Sequence, residues 1–196
     1  MTVVTPQALP PRVKRWSKRE YNELTARGAF EGQRLYLFRG ELIEVSPQSH
    51  PHAFAVMKLT SALFQAFGVN AGYDIRIQLP FDAPGESMPE PDGLVCTTQQ
   101  GGRDPHPNEA LMVVEVADSS LEKDRDKAFE YAAAGVPEYW IVDVGNKQVE
   151  LYRQPIPDRT TALGARYSSL RLLDPKDSIE PLAKPGVAFP LAQLFS

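Results

Sequence analysis

"LMVVEVADSSLEKDRDKAFEYAAAGVPEYWIVD", residues 111–143, contains an apolar strand, a helix and a second apolar strand in that order. The first run, residues 111–117, is apolar except for Glu115, an acid inside what otherwise reads as a buried strand. A helix begins near Ser119 or Ser120, with Glu122 completing a capping box, and stops at "AGVP", residues 134–137. "EYWIVDV" then returns as a strand, in which Tyr139 and Trp140 suit a core. A connection of this length suits a right-handed crossover, so part of the sheet is expected to be parallel and covered on both faces. The expectation is one α/β domain, a mixed sheet with helices on both sides. In such sheets sites form at the carboxyl ends of strands, and Glu115 lies toward that end of its run.

Upstream, "SKREYNELTARG" offers Ser17 and Glu20 as a capping box and Gly28 as a stop, predicting a short helix. "QRLYLF" and "ELIEVS", joined by "RG", read as a hairpin. Val56, Leu59, Leu63, Ala66 and Phe67 recur at helical spacing, predicting an amphipathic helix closed by Gly68. "YDIRIQLPF" alternates, with Tyr73, Ile75, Ile77 and Leu79 on one face and Arg76 and Gln78 on the other, which leaves Gln78 facing solvent. "DGLVC" is a further short strand, and residues 97–108 form a surface loop. Downstream, "KQVELYR" pairs with "EYWIVDV" across "GN", "ARYSSLRLL" is an edge strand and "PLAQLF" a helical turn.

Composition narrows the function classes. A chain of 196 residues with 42% hydrophobic and 23% charged residues suits one globular domain, residues 17–196, behind a loose tail at residues 1–16. No basic start with an apolar core and no ~18-residue apolar run is present, so the expectation is a cytoplasmic protein without a membrane. The single Cys96 excludes an internal disulfide and a multi-cysteine metal cluster, and suits a small buried hydrophobe. Residues 1–39 carry eight Lys and Arg against three Glu, +5, which leaves −9 on the remainder of a chain of net −4. That asymmetry permits a nucleic-acid contact at one end and an acidic site elsewhere.

An isolated buried charge is expensive unless it is paired or bound to a cation, so Glu115 needs partners. Asp92 follows the rigid "PEP", and Glu44 alternates with apolar Leu42, Ile43 and Val45. Three converging carboxylates repel unless a hard divalent cation joins them, and oxygen ligands favour Mg2+ or Mn2+. On the following helix Lys123 and Lys127 share a stripe with Tyr131 and Ala134, so either lysine can return toward the acids. Two acids, a metal and a lysine suit phosphodiester hydrolysis.

"PEPDGLV", "LMVVEVADSS" and "DKAFEYAAAGVPEYWIVD" resemble the motifs of the PD-(D/E)XK nuclease superfamily, in particular the bacterial restriction-endonuclease-like family called Uma. The likeness runs from about Ser17 to "PGVAFPLAQLF" and implies a restriction-endonuclease-like three-layer fold cutting DNA. It makes Asp92 and Glu115 the metal ligands, with the Val116 carbonyl as a further ligand, Glu44 an additional acid and Lys127 the catalytic amine, Lys123 being the alternative. His52 and Gln78 are accessory candidates. The sequence departs from a strict ExK motif, having Ala117 where that motif has lysine. Ala117 and the net charge leave room for a catalytically inactive module binding nucleic acid or a protein; a metal-free carboxylate pair acting on sugars is a third class.

The blander readings of the same residues are a structural ion pair for Glu115, a strand-entry residue for Asp92 and a solvated helix lysine for Lys127. His50 and His52 then serve the first turn of their helix. Cutting both strands of a duplex calls for a homodimer, and the hairpin between Tyr139 and Arg153 is the edge expected to pair.

Overall fold

The computed structural model describes residues 12–68, 71–98 and 106–195. It runs α1 (Lys18–Ala26), β1 (Leu35–Phe38), β2 (Glu41–Glu44), α2 (His50–Phe67), β3 (Tyr73–Arg76), β4 (Gly93–Thr97), β5 (Met112–Ala117), α3 (Leu121–Ala133) and β6 (Glu138–Asp143). Then follow β7 (Gln148–Pro157), β8 (Ala165–Leu173), β9 (Ser178–Ile179), β10 (Phe189–Pro190) and a closing 3-10 turn, Leu191–Leu194. Six strands form one sheet in the order β3-β4-β5-β6-β7-β8; β5 and β6 are parallel and the other pairs antiparallel.

Period-two alternation sorts β5 between two layers. Met112, Val114 and Val116 join α2 (Ala55, Leu59, Leu63, Phe67) and Trp140 in one core; Val113 and Ala117 join α3 (Ala128, Tyr131, Ala132), Tyr139 and Ile141 in the other. Every residue of β5 and β6 is therefore buried, as a strand covered on both faces requires. Glu115 shares the parity of Val113 and Ala117, so it faces α3. On β4, Leu94 and Cys96 face α3 while Gly93 faces α2, where a Cβ would come 3.1 Å from Leu63 Cδ1 and 3.2 Å from Leu59 Cδ2. Glycine lets α2 pass this close to the residue beside Asp92 without pressing on those two leucines.

α1 begins as the sequence indicates: Ser17 Oγ accepts from Glu20 N, and Glu20 Oε2 accepts from Ser17 N at 3.0 Å. β1 and β2 form a hairpin outside the main sheet, turned by Arg39 and Gly40 at φ 49° and 75°. Two successive positive φ values match the primed turns that suit strand twist. The Arg39 guanidinium then reaches α3, bonding Glu130 at 2.6 and 3.0 Å and Asp126 at 2.9 and 3.2 Å. These charge-assisted forks clamp the hairpin over α3. Residues 1–11 of the expected tail lie outside the described residues, as do residues 99–105 of the expected surface loop. Trp16, at the far end of the tail, donates its backbone N–H to Gly40 O at 2.8 Å.

Several expectations are corrected. β3 ends at Arg76, because Gln78 takes φ 51° and leaves the ladder, its N–H going to Pro91 O; Leu79 is consequently exposed. α3 has no capping box: Ser120 is the N-cap, but its Oγ donates to Asp124 Oδ2 at 2.5 Å instead of capping the backbone. The β6–β7 hairpin is no edge, since β6 lies between β5 and β7, and β7 between β6 and β8; the outer strands are β3 and β8.

Candidate active site

β4 and β5 pair with Gly93 opposite Val114, so Asp92, the residue before β4, comes close to Glu115, and both acids line one cleft. Asp92 is 7% exposed and accepts from three donors: Val116 N–H at 2.8 Å and His52 Nε2 at 3.3 Å on Oδ2, Gln78 Nε2 at 2.9 Å on Oδ1, which leaves lone-pair capacity on Oδ1. Glu115 is 3% exposed and accepts from Lys127 Nζ at 3.0 Å and Tyr131 Oη at 2.7 Å, both on Oε1. Lys127 also lies 3.0 Å from Asp124 Oδ1, one helical turn back, and 5.8 Å from the centre of the Tyr36 ring. Asp124 is itself buried. The Lys127 ammonium thus lies between the buried Glu115 and Asp124, and the half-buried His52 imidazole meets the buried Asp92.

The charges respond accordingly. Burial pushes the Glu115 carboxyl up, to about 7, with Asp124 and Asp92 adding to the rise and Lys127 opposing it. Burial works against the Lys127 charge, yet Glu115 and Asp124 hold its ammonium well above the usual lysine range. Burial is thus the main reason Glu115 holds its proton, with the neighbouring acids adding to it, while those same acids keep the Lys127 ammonium charged. Asp92 goes the other way: burial pushes it up, but the His52 hydrogen bond and charge, Gln78 and the Val116 N–H outweigh burial and hold it below the ordinary value. The Asp92 hydrogen bond in turn raises His52 against its own burial.

The profile of the Uma2 family, described as "Putative restriction endonuclease", matches residues 19–192. The chain belongs to the Uma2 family. A solved structure with the same fold, a DUF820 protein from Anabaena variabilis ATCC 29413 described as a "putative nuclease", has a TM-score of 0.64 at 14% identity, covering 82% of this chain and 89% of that one. The type IIG restriction endonuclease BpuSI overlaps less, with a TM-score of 0.36 at 14% identity over 65% of this chain and 14% of its own, too partial to bear on the fold. No curated protein sequence matches the chain. Family and fold are nuclease-like, and restriction-endonuclease-like enzymes generally use divalent metals.

In this Uma2 chain the acids open into a cleft of about 280 Å³. The other sequence candidates line it, but differently. Glu44 and Lys123 stand at its exposed rim, outside the bonded cluster. Gln78, expected in solvent, is a direct Asp92 partner, because its positive φ turns it back toward the strand entry. His52 belongs to the first turn of α2, as expected, and touches Asp92 as well; its Nδ1 is buried without a partner among the described residues. His50 is exposed. Ala117 is 1% exposed in the α3-side core, so no amine enters from there; the amine beside Glu115 is that of Lys127, from α3. Sequence reasoning gave no role to Asp124, Tyr36, Arg34 or Glu90, all of which line the cleft. Only the Asp124–Lys127 spacing of one helical turn was a usable signal.

Among the described residues no three His, Cys, Asp or Glu side chains form a ready metal cage. Magnesium needs none: it is held by one or two carboxylates and keeps several waters. Asp92 and Glu115 fit that requirement, since both bonds to Glu115 fall on Oε1 and the cluster lacks positive charge.

Proposed function

We propose that the protein is a divalent-metal-dependent endonuclease that hydrolyses phosphodiester bonds in DNA. The observation that carries this reading is that Asp92, bonded to the Val116 N–H beside Glu115, lines one cleft with Glu115, and the Lys127 ammonium stands 3.0 Å from Glu115. Asp92 and Glu115 would hold Mg2+ or Mn2+, with the Val116 carbonyl as a further ligand; the bound ion supplies Lewis-acid stabilisation of phosphate charge and a more acidic water. Gln78, His52 and the Val116 N–H fix the Asp92 carboxylate, which limits its reorganisation during reaction. Tyr131 fixes Glu115 in the same way. Lys127, held between Glu115 and Asp124, orients the attacking water or offsets charge on a non-bridging phosphate oxygen. Glu44 assists from the rim by orienting water, and Lys123 meets a neighbouring phosphate.

Incubation of supercoiled plasmid with the protein and Mg2+ or Mn2+ tests this: nicked or linear product that disappears with EDTA is expected, and no cleavage of any nucleic acid with either ion defeats the reading. The inactive-module reading rests on Ala117 and the net charge; what speaks against it is the Lys127 ammonium 3.0 Å from Glu115. Cleavage of both strands calls for two copies, and β8, with Leu170 and Leu172 exposed along an outer strand, is the edge offered for that pairing. No helix among the described residues is long and apolar enough to cross a membrane. Action on DNA accords with the cytoplasm.

A further inference from the structure

We propose that the hollow beneath α1, beside the catalytic cleft, is a subsite for an unpaired nucleobase whose adjoining phosphate is held by Arg34. The inference rests on the nucleic-acid reading of the cleft. The hollow has a volume of about 420 Å³ and is lined by Tyr21, Thr25, Phe30, Gln33, Arg34 and Glu90 among others. Arg34 and Glu90 also line the cleft, so the two spaces share one wall. A strand seated over Glu115 therefore passes Arg34 before its neighbouring base meets the hollow.

The lining chemistry suits a base. The Tyr21 and Phe30 rings are stacked, with centroids 5.9 Å apart and planes inclined by 22°. Tyr21 is pinned by its hydroxyl to Leu35 O at 2.9 Å, and Phe30 is only partly buried, so a preset aromatic surface borders the space. Single-stranded nucleic acid is held by such surfaces together with cations tracking the backbone. The exposed Arg34 guanidinium supplies the cation. The polar wall is rich in acceptors, the carboxylates of Glu31 and Glu90. Carboxylates accept from exocyclic amino groups, as glutamate does from cytosine N4, so cytosine, adenine and guanine fit better than thymine. A base can enter only after leaving its stack. The subsite thus favours frayed, bulged or single-stranded positions beside the cut.

The test uses the full chain in EDTA, so that binding is read without cleavage. An oligonucleotide carrying 5-iodocytosine is irradiated and the cross-linked peptide mapped, while anisotropy compares oligo-dC with oligo-dT. Cross-links at Tyr21 or Phe30 are expected, with oligo-dC bound several-fold more tightly than oligo-dT. Arg34→Gln, and Ala26→Trp, which plugs the hollow from an exposed lining position, should each weaken oligo-dC binding about tenfold. Cross-links elsewhere, both variants binding as the parent does, or no oligonucleotide binding at all would overturn the subsite. Metal-dependent plasmid cleavage with cross-links elsewhere sinks the subsite alone; cross-links in the hollow without cleavage by any metal sink the nuclease reading alone.

Discussion

Glu115 and Glu138 both lie inside the central sheet, on adjacent strands, and the fold treats them in opposite ways. Glu138 is fully buried and completely answered: Arg153 Nη2 at 3.0 Å, Trp140 Nε1 at 2.6 Å and the Leu182 N–H at 2.8 Å. Glu130 likewise has Arg39, and Glu150 has Arg125 and Tyr152. Each of these acids owns a guanidinium. At the cleft, Asp92, Glu115 and Asp124 divide one lysine and one histidine among them. Buried acids that are balanced hold elements together, whereas the set at the cleft, left short of positive charge, is the one proposed to take a cation.

Substitutions should separate the two classes. Glu115→Gln or Asp92→Asn should lower metal-dependent cleavage by about a thousand-fold or more, because ligation of an ion stabilising the transition state is lost. Glu115→Gln should melt no lower than the parent, since burial and its acidic neighbours disfavour that charge, whereas Asp92→Asn should melt lower, since His52, Gln78 and the Val116 N–H stabilise the Asp92 charge; a large drop in Tm at Glu115→Gln would reclassify Glu115 with Glu138. Lys127→Met should cost about a hundred-fold in kcat, a loss typical of one preorganised donor, while Lys123→Ala at the rim should change it less than about twofold. Equal losses at the two lysines would place the amine wrongly. Glu138→Gln should behave inversely, losing about 3 kcal/mol in denaturant titration, near the lower end for breaking a buried pair because Arg153 retains 23% exposure. Its activity per folded molecule should be unchanged.

A further effect is expected in pH. Glu115 keeps its proton up to about pH 7, against 4.5 for an ordinary glutamate. In the metal-free protein that proton's contribution to stability is complete below 4.5 and fades as pH rises through 7. Metal binding requires the carboxylate, so Mn2+ affinity should climb up to about tenfold per unit below pH 7 and level off above it. Glu115→Gln should abolish that dependence; a flat profile in the parent would show that Glu115 is already ionised.

The core of the fold was legible because it depends on local pattern. Residues 111–143 switch period from strand to helix to strand, and Ser17 with Glu20 specifies a helix start that forms. Asp92 and Glu115 stood out as acids inside apolar runs, but their closeness depends on the β4–β5 register, a long-range property no window reveals. Gln78 was misread because alternation assumes an extended chain and its φ is 51°. Asp124 looked like any acid in the first turn of a helix, and at α3 the Ser120 hydroxyl chose its side chain over the backbone. The pairing edge was misplaced since nothing local shows that β8 flanks β7.

Isothermal titration of Mn2+ into the parent and into the Asp92→Asn/Glu115→Gln double variant, both shown to be folded by circular dichroism, reaches the central point most directly. One ion bound per chain in the parent and none in the double variant is the expected result. No binding to the parent, or equal binding to both proteins, would contradict the assignment of these two acids to a cation.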